Sequence, residues 1–458
     1  MRALSRLHSV AIRSAFAVRY GVAVYGRHAA FLEKSQWWTW SKIRALQAKK
    51  LLFLLDHAYK TVPFYRARFD KLGLQPNDVK DLSDLKRLPI LTKRDIQQDV
   101  TQLVSDRFKE RKKIENYSGG STGRPTRFYQ DFSYKDWEQA DMLRCYRMTG
   151  YQLGTRWAFL WGSDYDASTH KGYWGSLKDR IIYNLVWINT FDLTADTLLR
   201  ALEQMARWQP KIIVAYVSSA ALLAKLIREK QIRGISPKAI QTSAEVLTPD
   251  TRQLIESTFG CPVFDRYGCR EMGNIAHECE RHNGLHILAE NNLVELVDDN
   301  GLAAQPGSVG RLVVTNLNNY AMPFIRYDTG DLAVSSQQNC RCGRGLPLLS
   351  SLQGRISDVI SSPSGKLLHG EFFSHLFYKV DGISQFRVIQ KSRRDLLIQI
   401  VPAQNFQEAK VFSYLRETIS QHGDPEFEIH FELQSHLPPA PSGKYRFTIS
   451  ELPVQLGS

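Results

Sequence analysis

Tyr117-Ser-Gly-Gly-Ser-Thr-Gly-Arg-Pro-Thr126 is the stretch around which the 458-residue chain is organised. Eight of its ten residues are Ser, Thr, Gly or Pro, and Lys112, Lys113, Arg124 and Arg127 surround it. Such a loop has little bulk over its backbone, several hydroxyls and a positive local field. Glycine lets backbone N–H groups approach an anion, and hydroxyls add further hydrogen bonds. The run from Ser118 through Gly119, Gly120, Ser121, Thr122, Gly123 and Arg124 therefore reads as a loop that wraps a polyphosphate. It is not the Walker loop, which requires G-x-x-x-x-G-K-[ST]. Gly119 and Gly123 are too close together, and Arg124-Pro125 replaces the Lys-Ser/Thr pair. Taken alone, the run equally describes a flexible linker.

The length allows two to four domains. Hydrophobic residues make up 43% and charged residues 23%, an ordinary globular balance. No apolar run reaches the length of a membrane span. The net charge of +14 is spread along the chain rather than gathered in basic blocks. No nucleic-acid fingerprint accompanies it, so the charge suits an anionic substrate or a membrane surface. Six cysteines are too few for a disulfide scaffold in a chain this long. The first 32 residues carry Arg2, Arg6, Arg13, Arg19 and Arg27 and no acid, interleaved with Leu4, Leu7, Val10, Ile12, Phe16, Val18 and Val22. No secretory cleavage site is evident. The segment 1–35 reads as a transit-like peptide, as a basic amphipathic helix on an anionic membrane, or as an ordinary surface helix. A cytoplasmic location is expected, with peripheral membrane contact through this segment as an alternative.

Periodicity places the elements. Ile43, Leu46, Leu51, Leu54, Leu55 and Ala58 mark a helix that Pro63 ends. Phe128 and Tyr129 suggest a strand, and Tyr134–Met148 a helix. From Trp157 onward strands and helices alternate: Trp157–Trp161, Thr197–Trp208, Lys211–Tyr216, Ser218–Lys230, Ala239–Ser243, a helix capped by Thr248, then Pro262–Phe264. That repetition argues for a sheet with helices on both faces. Leu293–Val297 and Arg311–Thr315 read as an antiparallel hairpin. After Ile356 short strands (Phe386–Gln390, Leu396–Val401, Glu428–Leu433) surround one helix, Ala409–His422. The expected class is α/β: a large N-terminal domain (36–354) of mixed β-sheets layered with helices, and a small mobile α+β C-terminal domain (355–458).

Four more motifs stand at intervals. Asp265-Arg-Tyr-Gly-Cys-Arg-Glu271 follows a strand. There Tyr267 beside Gly268 can stack on a flat ring, and Glu271 can reach a divalent ion near a phosphate. Arg326-Tyr-Asp-Thr-Gly-Asp331 puts a carboxylate after a tight turn, suited to two ribose hydroxyls. Gln353-Gly-Arg-Ile-Ser-Asp-Val359 lies where the texture changes and reads as a hinge. Pro441-Ser-Gly-Lys-Tyr-Arg446 puts Lys444 in a flexible turn, free to swing to an anionic centre. Each also reads singly as a plain polar turn.

In this order and spacing, over roughly residues 40–450, the motifs resemble the adenylate-forming ligases. His57-Ala-Tyr and Val62-Pro-Phe-Tyr65 add to the likeness. It is strongest to the phenylacetate–coenzyme A ligase branch, with its relatives in capsular-polysaccharide synthesis and deazaflavin-cofactor adenylation. The resemblance implies roles. Ser118–Thr126 holds phosphate; Ser243, Ala244 and Glu245 line the adenine site; Tyr267 stacks on adenine. Glu271 helps to hold Mg²⁺, Asp331 binds both ribose hydroxyls, and Arg355 precedes the hinge. Lys444 bridges the carboxylate substrate and the α-phosphate. ATP, Mg²⁺ and coenzyme A are the implied cofactors, and a carboxylic acid the implied substrate. Trp137, Trp161, Tyr165, Trp174, Trp187 and Tyr216 are candidate walls of the acyl pocket. Transfer to an amine or hydroxyl of a polysaccharide precursor or cofactor is the alternative, and a non-enzymatic scaffold a third. Oligomeric state is left open, a homodimer included. Three departures stand out: Arg124 replaces the usual lysine, with Gly119 and Ser121 beside it; Ser357 replaces an aspartate; and Asp328 replaces an arginine.

Cys340-Arg-Cys342 is a tight pair, and His277-Glu-Cys279-Glu-Arg-His282-Asn-Gly-Leu-His286 lies upstream. Three thiolates and an imidazole make a tetrahedral zinc site. Some members of the resembled branch share this arrangement. The expected ligands are Cys279, His286, Cys340 and Cys342, with His282 as the alternative to His286. Reduced, unligated cysteines are the plain alternative, and Cys145, Cys261 and Cys269 are expected in the core.

Overall fold

The computed structural model describes residues 22–452 apart from 81, 119–125, 153, 162–178, 181–182, 190–194, 299, 356–359, 366, 369–371, 374–375, 378–379 and 439–445. Its helices, in chain order, are α1 (Val22–Ser35), α2 (Trp40–Thr61), α3 (Pro63–Lys71), α4 (Lys93–Gln98), α5 (Phe132–Met148), α6 (Ala195–Trp208), α7 (Val217–Glu229), α8 (Pro249–Phe259) and α9 (Glu408–Thr418). Local chemistry sets their ends. Pro63 opens α3, where its missing N–H costs nothing. Thr92 and Asp95 cap α4 reciprocally. Thr248 caps α8, and Gly260 closes it in the left-handed region at φ 66°. No described helix is long and apolar enough to cross a membrane.

A two-stranded hairpin, β1 (Ile114–Tyr117) and β2 (Arg127–Gln130), precedes the main sheet. That sheet has eleven strands. β3 (Trp157–Trp161), β4 (Leu185–Asn189), β5 (Ile212–Tyr216), β6 (Ala239–Ser243) and β7 (Val263–Cys269) run parallel, in the order β4-β3-β5-β6-β7. β8 (Gly273–Glu278) turns back on β7. The antiparallel half continues through β9 (Leu285–Ile287), β13 (Leu348–Arg355), β12 (Tyr327–Ser335), β11 (Val309–Asn316) and β10 (Asn292–Val297).

β5 and β6 are buried along their whole length, as parallel strands covered on both faces must be. The side-chain period of two divides them. Ala158, Leu160, Ile213 and Ala215 pack with α6, α7 and α8. Trp157, Ile212 and Val214 face α1 and α5 instead. A buried ionic cluster ties α1 and α5 to the sheet: Arg144 donates to Glu290 (2.8 Å) and Asp141 (2.7 Å), and Ser35 donates to Glu290 (2.6 Å).

Later come β14 (Ile360–Ser361) and β15 (Leu367–Leu368), then β16 (Ile383–Gln390), β17 (Asp395–Pro402), β18 (Glu428–Leu433) and β19 (Thr448–Ser450). The last four form a separate sheet in the order β18-β17-β16-β19. It has its own core, where Phe386, Val388, Ile398 and Ile400 meet Val411 and Leu415 of α9. The alternating elements expected from the sequence are thus present. β1, β4, β8, β9, β12, β13, β14, β15 and β19 are additional to them. In particular, the Arg326–Asp331 run is not a hairpin turn: it enters a nine-residue strand, with Arg326 at φ 52° at the entry.

Candidate active site and metal centre

The site forms where the sheet changes from parallel to antiparallel. Tyr267, buried near the end of β7, donates its hydroxyl to Asp331 Oδ2 at 2.7 Å. Its strand and β12 stand four places apart in the strand order, so the sheet curls to bring the two side chains together. Burial, with the Asp331 charge beside it, raises the Tyr267 phenol well above its ordinary range and keeps it a donor. Asp331 is the backbone partner of Arg355, whose side chain lies outside the described residues.

Glu271 sits on the tight turn between β7 and β8 and accepts from the Tyr327 hydroxyl at 3.2 Å. The turn demands glycine twice. A Cβ on Gly268 would lie 2.3 Å from the Gly273 carbonyl oxygen. One on Gly273 (φ 70°) would lie 2.8 Å from the hydroxyl of Tyr134. Side-chain hydrogen bonds join the turn to the β1–β2 hairpin: Arg270 Nη1 donates to the Tyr117 carbonyl (3.4 Å), and Gln130 donates to the Arg270 carbonyl (3.0 Å).

That hairpin carries the Gly-rich loop. Its neck is closed by two hydrogen bonds, Ser118 N–H to the Thr126 carbonyl and Thr126 N–H to Ser118 Oγ, both 2.9 Å. Ser118 and Thr126 are buried, and Gln97 from α4 donates to Thr126 Oγ1 at 2.9 Å. Gly119, Gly120, Ser121, Thr122, Gly123 and Arg124 lie outside the described residues, as does Lys444, four residues before β19.

Ser243 ends β6 directly beside Arg266 of β7, to whose carbonyl its hydroxyl donates at 3.0 Å. Ala244 takes φ 77°, a conformation costly for an L-residue. Glu245 accepts from the Ser218 N–H (2.6 Å) and hydroxyl (2.9 Å) at the start of α7. The structure therefore gathers Ser243–Glu245, Tyr267, Gly268, Glu271, Asp331 and the Arg355 backbone around one end of the sheet. Asp328 pairs with Arg311 at 3.0 Å and closes the local turn by accepting from Gly330 N–H. Ser357 lies outside the described residues.

Tyr327, Thr329 and Tyr134 join the site without having been singled out. Spacing was the available signal for two of them: Tyr327, Thr329 and Asp331 alternate, so a strand presents all three on one face. Among the aromatic candidates, Trp161 packs on Tyr216 (ring centroids 4.1 Å) and Trp187 on Phe159 (4.8 Å). Trp137 stacks instead on His28 and carries Lys50 over its ring, against α1 and α2. Tyr165 and Trp174 lie outside the described residues.

A second cluster lies behind the antiparallel half. One ligand atom from each of Cys279, His286, Cys340 and Cys342 falls within 4.8 Å of the others. The Cys279 and Cys340 sulfurs are 3.6 Å apart, and Cys342 Sγ is 3.3 Å from His286 Nε2. Backbone N–H groups of Arg281 and Arg344 each point at a sulfur two residues earlier, at 3.4 Å. His286 Nδ1 faces the Leu346 carbonyl at 3.4 Å, which turns Nε2 toward the thiols. Burial lowers the His286 imidazole to about 4, so it is neutral with a free lone pair. His282 is directed elsewhere, to Glu278 at 3.2 Å. The arrangement fits a closed tetrahedral zinc site. Cys145 and Cys261 are buried apart from it, and Cys269 is partly buried on β7.

The cysteine knuckle also grips the α1–α2 joint. Gly345 N–H donates to the Gln36 carbonyl and Arg344 Nε to Gln36 Oε1, both 2.9 Å. The Arg344 guanidinium lies 4.7 Å from the Trp37 ring centroid.

Comparison with known proteins agrees with this geometry. Residues 360–451 match the CapK C-terminal domain family. The chain is 28% identical over 328 residues to a phenylacetate–coenzyme A ligase of Thermus thermophilus, covering 70% of this chain and 72% of the relative. It is 21% identical over 436 residues to protein CapK of Staphylococcus aureus, covering 89% of each. A crystal structure of a 2-hydroxyisobutyryl-CoA ligase in the postadenylation state superposes with a TM-score of 0.70 at 21% identity, covering 88% of this chain and 89% of that one. Fold, motif order and relatives converge on an AMP-forming ligase similar to the phenylacetate–coenzyme A ligases and to CapK.

Proposed function

We propose that the enzyme joins a carboxylic acid to the α-phosphate of ATP, releases pyrophosphate, and passes the acyl group from the adenylate to coenzyme A. The products are an acyl-CoA thioester and AMP. The Tyr267–Asp331 pair beside Ser243–Glu245 is the observation that carries this reading. A flat phenol next to a buried carboxylate suits adenine and the two ribose hydroxyls of one nucleotide. The hairpin neck at Ser118 and Thr126, stitched to the Glu271 turn, would hold the leaving pyrophosphate beside that nucleotide.

Attack of a carboxylate on a phosphate brings two anions together, so the barrier is mainly electrostatic and positional. Glu271, oriented by Tyr327, is the residue that would hold Mg²⁺; the ion, when bound, would neutralise charge on the phosphates. Lys444, from the unit spanning 355–458, would neutralise the reacting carboxylate. A hinge at Arg355 would let it withdraw before the second step. The aromatic pairs Trp161–Tyr216 and Phe159–Trp187 favour an aryl acid as substrate. Cys279, His286, Cys340 and Cys342 would bind one structural zinc. Trapping the activated acyl group with hydroxylamine across a panel of acids tests the reading, with and without coenzyme A. Failure of every acid to give a hydroxamate would defeat it.

The match to CapK over nearly the whole chain favours a second reading. In it the acyl or adenylyl group goes to an amine or hydroxyl of a polysaccharide precursor or cofactor. Hydroxamate formation with no thioester on adding coenzyme A would select it.

A further inference from the structure

On the sheet face that packs against α1 and α5, four neighbouring strands end in one row of side chains: Trp161, Tyr216, Ser243 and Arg266. Register sets the row. Leu160 pairs with Ala215, Tyr216 with Ser243, and Ser243 with Arg266. Side chains alternate along each strand, so Trp161 follows Trp157, and Tyr216 follows Val214, onto this face. The rings of Trp161 and Tyr216 are 4.1 Å apart. Ser243 is the small member of the row, and across it the Arg266 guanidinium lies 5.9 Å from the Trp161 ring centroid.

The row's one charge is Arg266, and it has no counter-ion among the described residues. Its Nη1 donates to Asn274 Oδ1 at 2.9 Å. Its Nε is buried without a hydrogen-bond partner, and its Nη2 makes no hydrogen bond or ion pair among the described residues. Alternation turns the acids beside it on β7 and β8, Asp265 and Glu278, to the opposite face, where Glu278 accepts from Arg252 at 2.7 Å. A guanidinium partly withdrawn from water and half unpaired is costly. Nε and Nη2 share one edge of the planar fork, and that edge matches the two oxygens of a carboxylate.

The row borders the site described above. Ser243 opens the Ser243–Glu245 segment, and Arg266 precedes Tyr267, which points to the other face. A nucleoside on the Tyr267–Asp331 side leaves Arg266 to the acyl side. The reacting carboxylate is not its partner, because a carboxylate held there by both oxygens has neither free to attack phosphorus. We propose, resting on the acyl-adenylation reading above, that Arg266 sets the acid specificity. The substrate is an aryl acid with a second carboxylate, which seats on the Nε–Nη2 edge while the ring lies against Trp161 and Tyr216.

The test is hydroxamate formation with matched acids: benzoate against the benzenedicarboxylates, and phenylacetate against the carboxyphenylacetates. In at least one pair kcat/KM for the dicarboxylate should exceed that for the plain acid by about 10- to 100-fold, the scale of a hydrogen bond to a charged group. Arg266→Gln should lower that ratio by a similar factor, chiefly by raising the KM for the dicarboxylate, and Arg266→Lys should restore part of it. Plain acids favoured in every wild-type pair would overturn the proposal, and this comparison needs no variant to fold. An unaltered ratio in Arg266→Gln would overturn it too. So would an equal loss with both members of a pair, which would make Arg266 a prop for Asn274 or a nucleotide contact. No hydroxamate from any acid would instead defeat the adenylation reading itself, and this proposal with it.

Discussion

Tyr267 on β7 and Asp331 on β12 share a hydrogen bond of 2.7 Å although neither strand pairs with the other. On the proposed reading the phenol would orient the carboxylate for the ribose. Tyr267→Phe keeps the ring and removes that hydrogen bond. Only part of the about 1.5–3 kcal/mol of a hydrogen bond to a charged group is passed on to the nucleotide, so the KM for ATP should rise several-fold with kcat nearly kept. Asp331→Ala should cost more, about 10- to 100-fold in kcat/KM, because charge-assisted bonds are lost. Pyrophosphate exchange into ATP, measured against ATP concentration, checks both. An unchanged KM in Tyr267→Phe removes the orienting role.

Lys444→Ala should slow adenylation by about 10²- to 10³-fold, the scale of one preorganised donor at a developing charge. ATP binding should survive, since the phosphate loop and Asp331 are untouched. Near-normal pyrophosphate exchange in this variant would sink the assignment.

Protein purified without chelator should contain about one zinc per chain, the stoichiometry of one four-ligand site. Cys340→Ser and Cys342→Ser should each lose the metal and lower Tm. The loss should also be felt at Gln36–Trp38, because Arg344 and Gly345 hold that joint directly from the knuckle. Hydrogen exchange at those amides should accelerate in either variant. A metal-free wild-type protein with the same Tm and the same exchange would end the idea.

Asp265 is buried with Glu278 close by, and burial first, then that charge, push its carboxyl up to about 7. A raised carboxylate binds protons in the folded state that the unfolded chain has released. Its penalty is therefore absent below the ordinary aspartate range, grows as pH rises, and is complete above about 7. Asp265→Asn removes the titration. The Tm of the variant minus that of the wild type should rise from pH 4 to pH 8. A difference that is flat over this range contradicts the perturbed carboxyl.

Much of the parallel half was legible because buried strands there are short apolar runs, such as Ile212–Tyr216, flanked by helices of helical apolar periodicity. The antiparallel half was not. β12 begins Tyr-Asp-Thr-Gly-Asp, whose residues favour turns one by one. Tertiary pairing on both sides, with β11 and β13, overrides that preference. β8 and β9 hide for a related reason: His277, Glu278 and His286 are buried through hydrogen bonds, an ion pair and contact with the cysteines rather than by apolarity. The cluster of Cys279, Cys340 and Cys342 with a histidine was legible from residue type, but only the fold separates His286 from His282. Its strand pairs Leu348 with His286, which brings the imidazole to the Cys340–Cys342 loop. The chain partners of Glu271 were not legible, since Tyr327 reaches it across 56 positions of sequence.

The curl that brings β12 back to β7 also has a kinetic meaning. Tyr267 and Asp331 are separated by 64 residues, and Gln130 meets Arg270 across 140. Contacts that span so much chain close late, after local hairpins and helices have formed. A nascent chain released before Ser335 would carry the phosphate hairpin, β6 and β7 with no carboxylate to receive Tyr267. Nucleotide affinity should thus arise in one late step as β12 docks, which makes ATP a reporter of completed folding and, by mass action, a ligand that favours it.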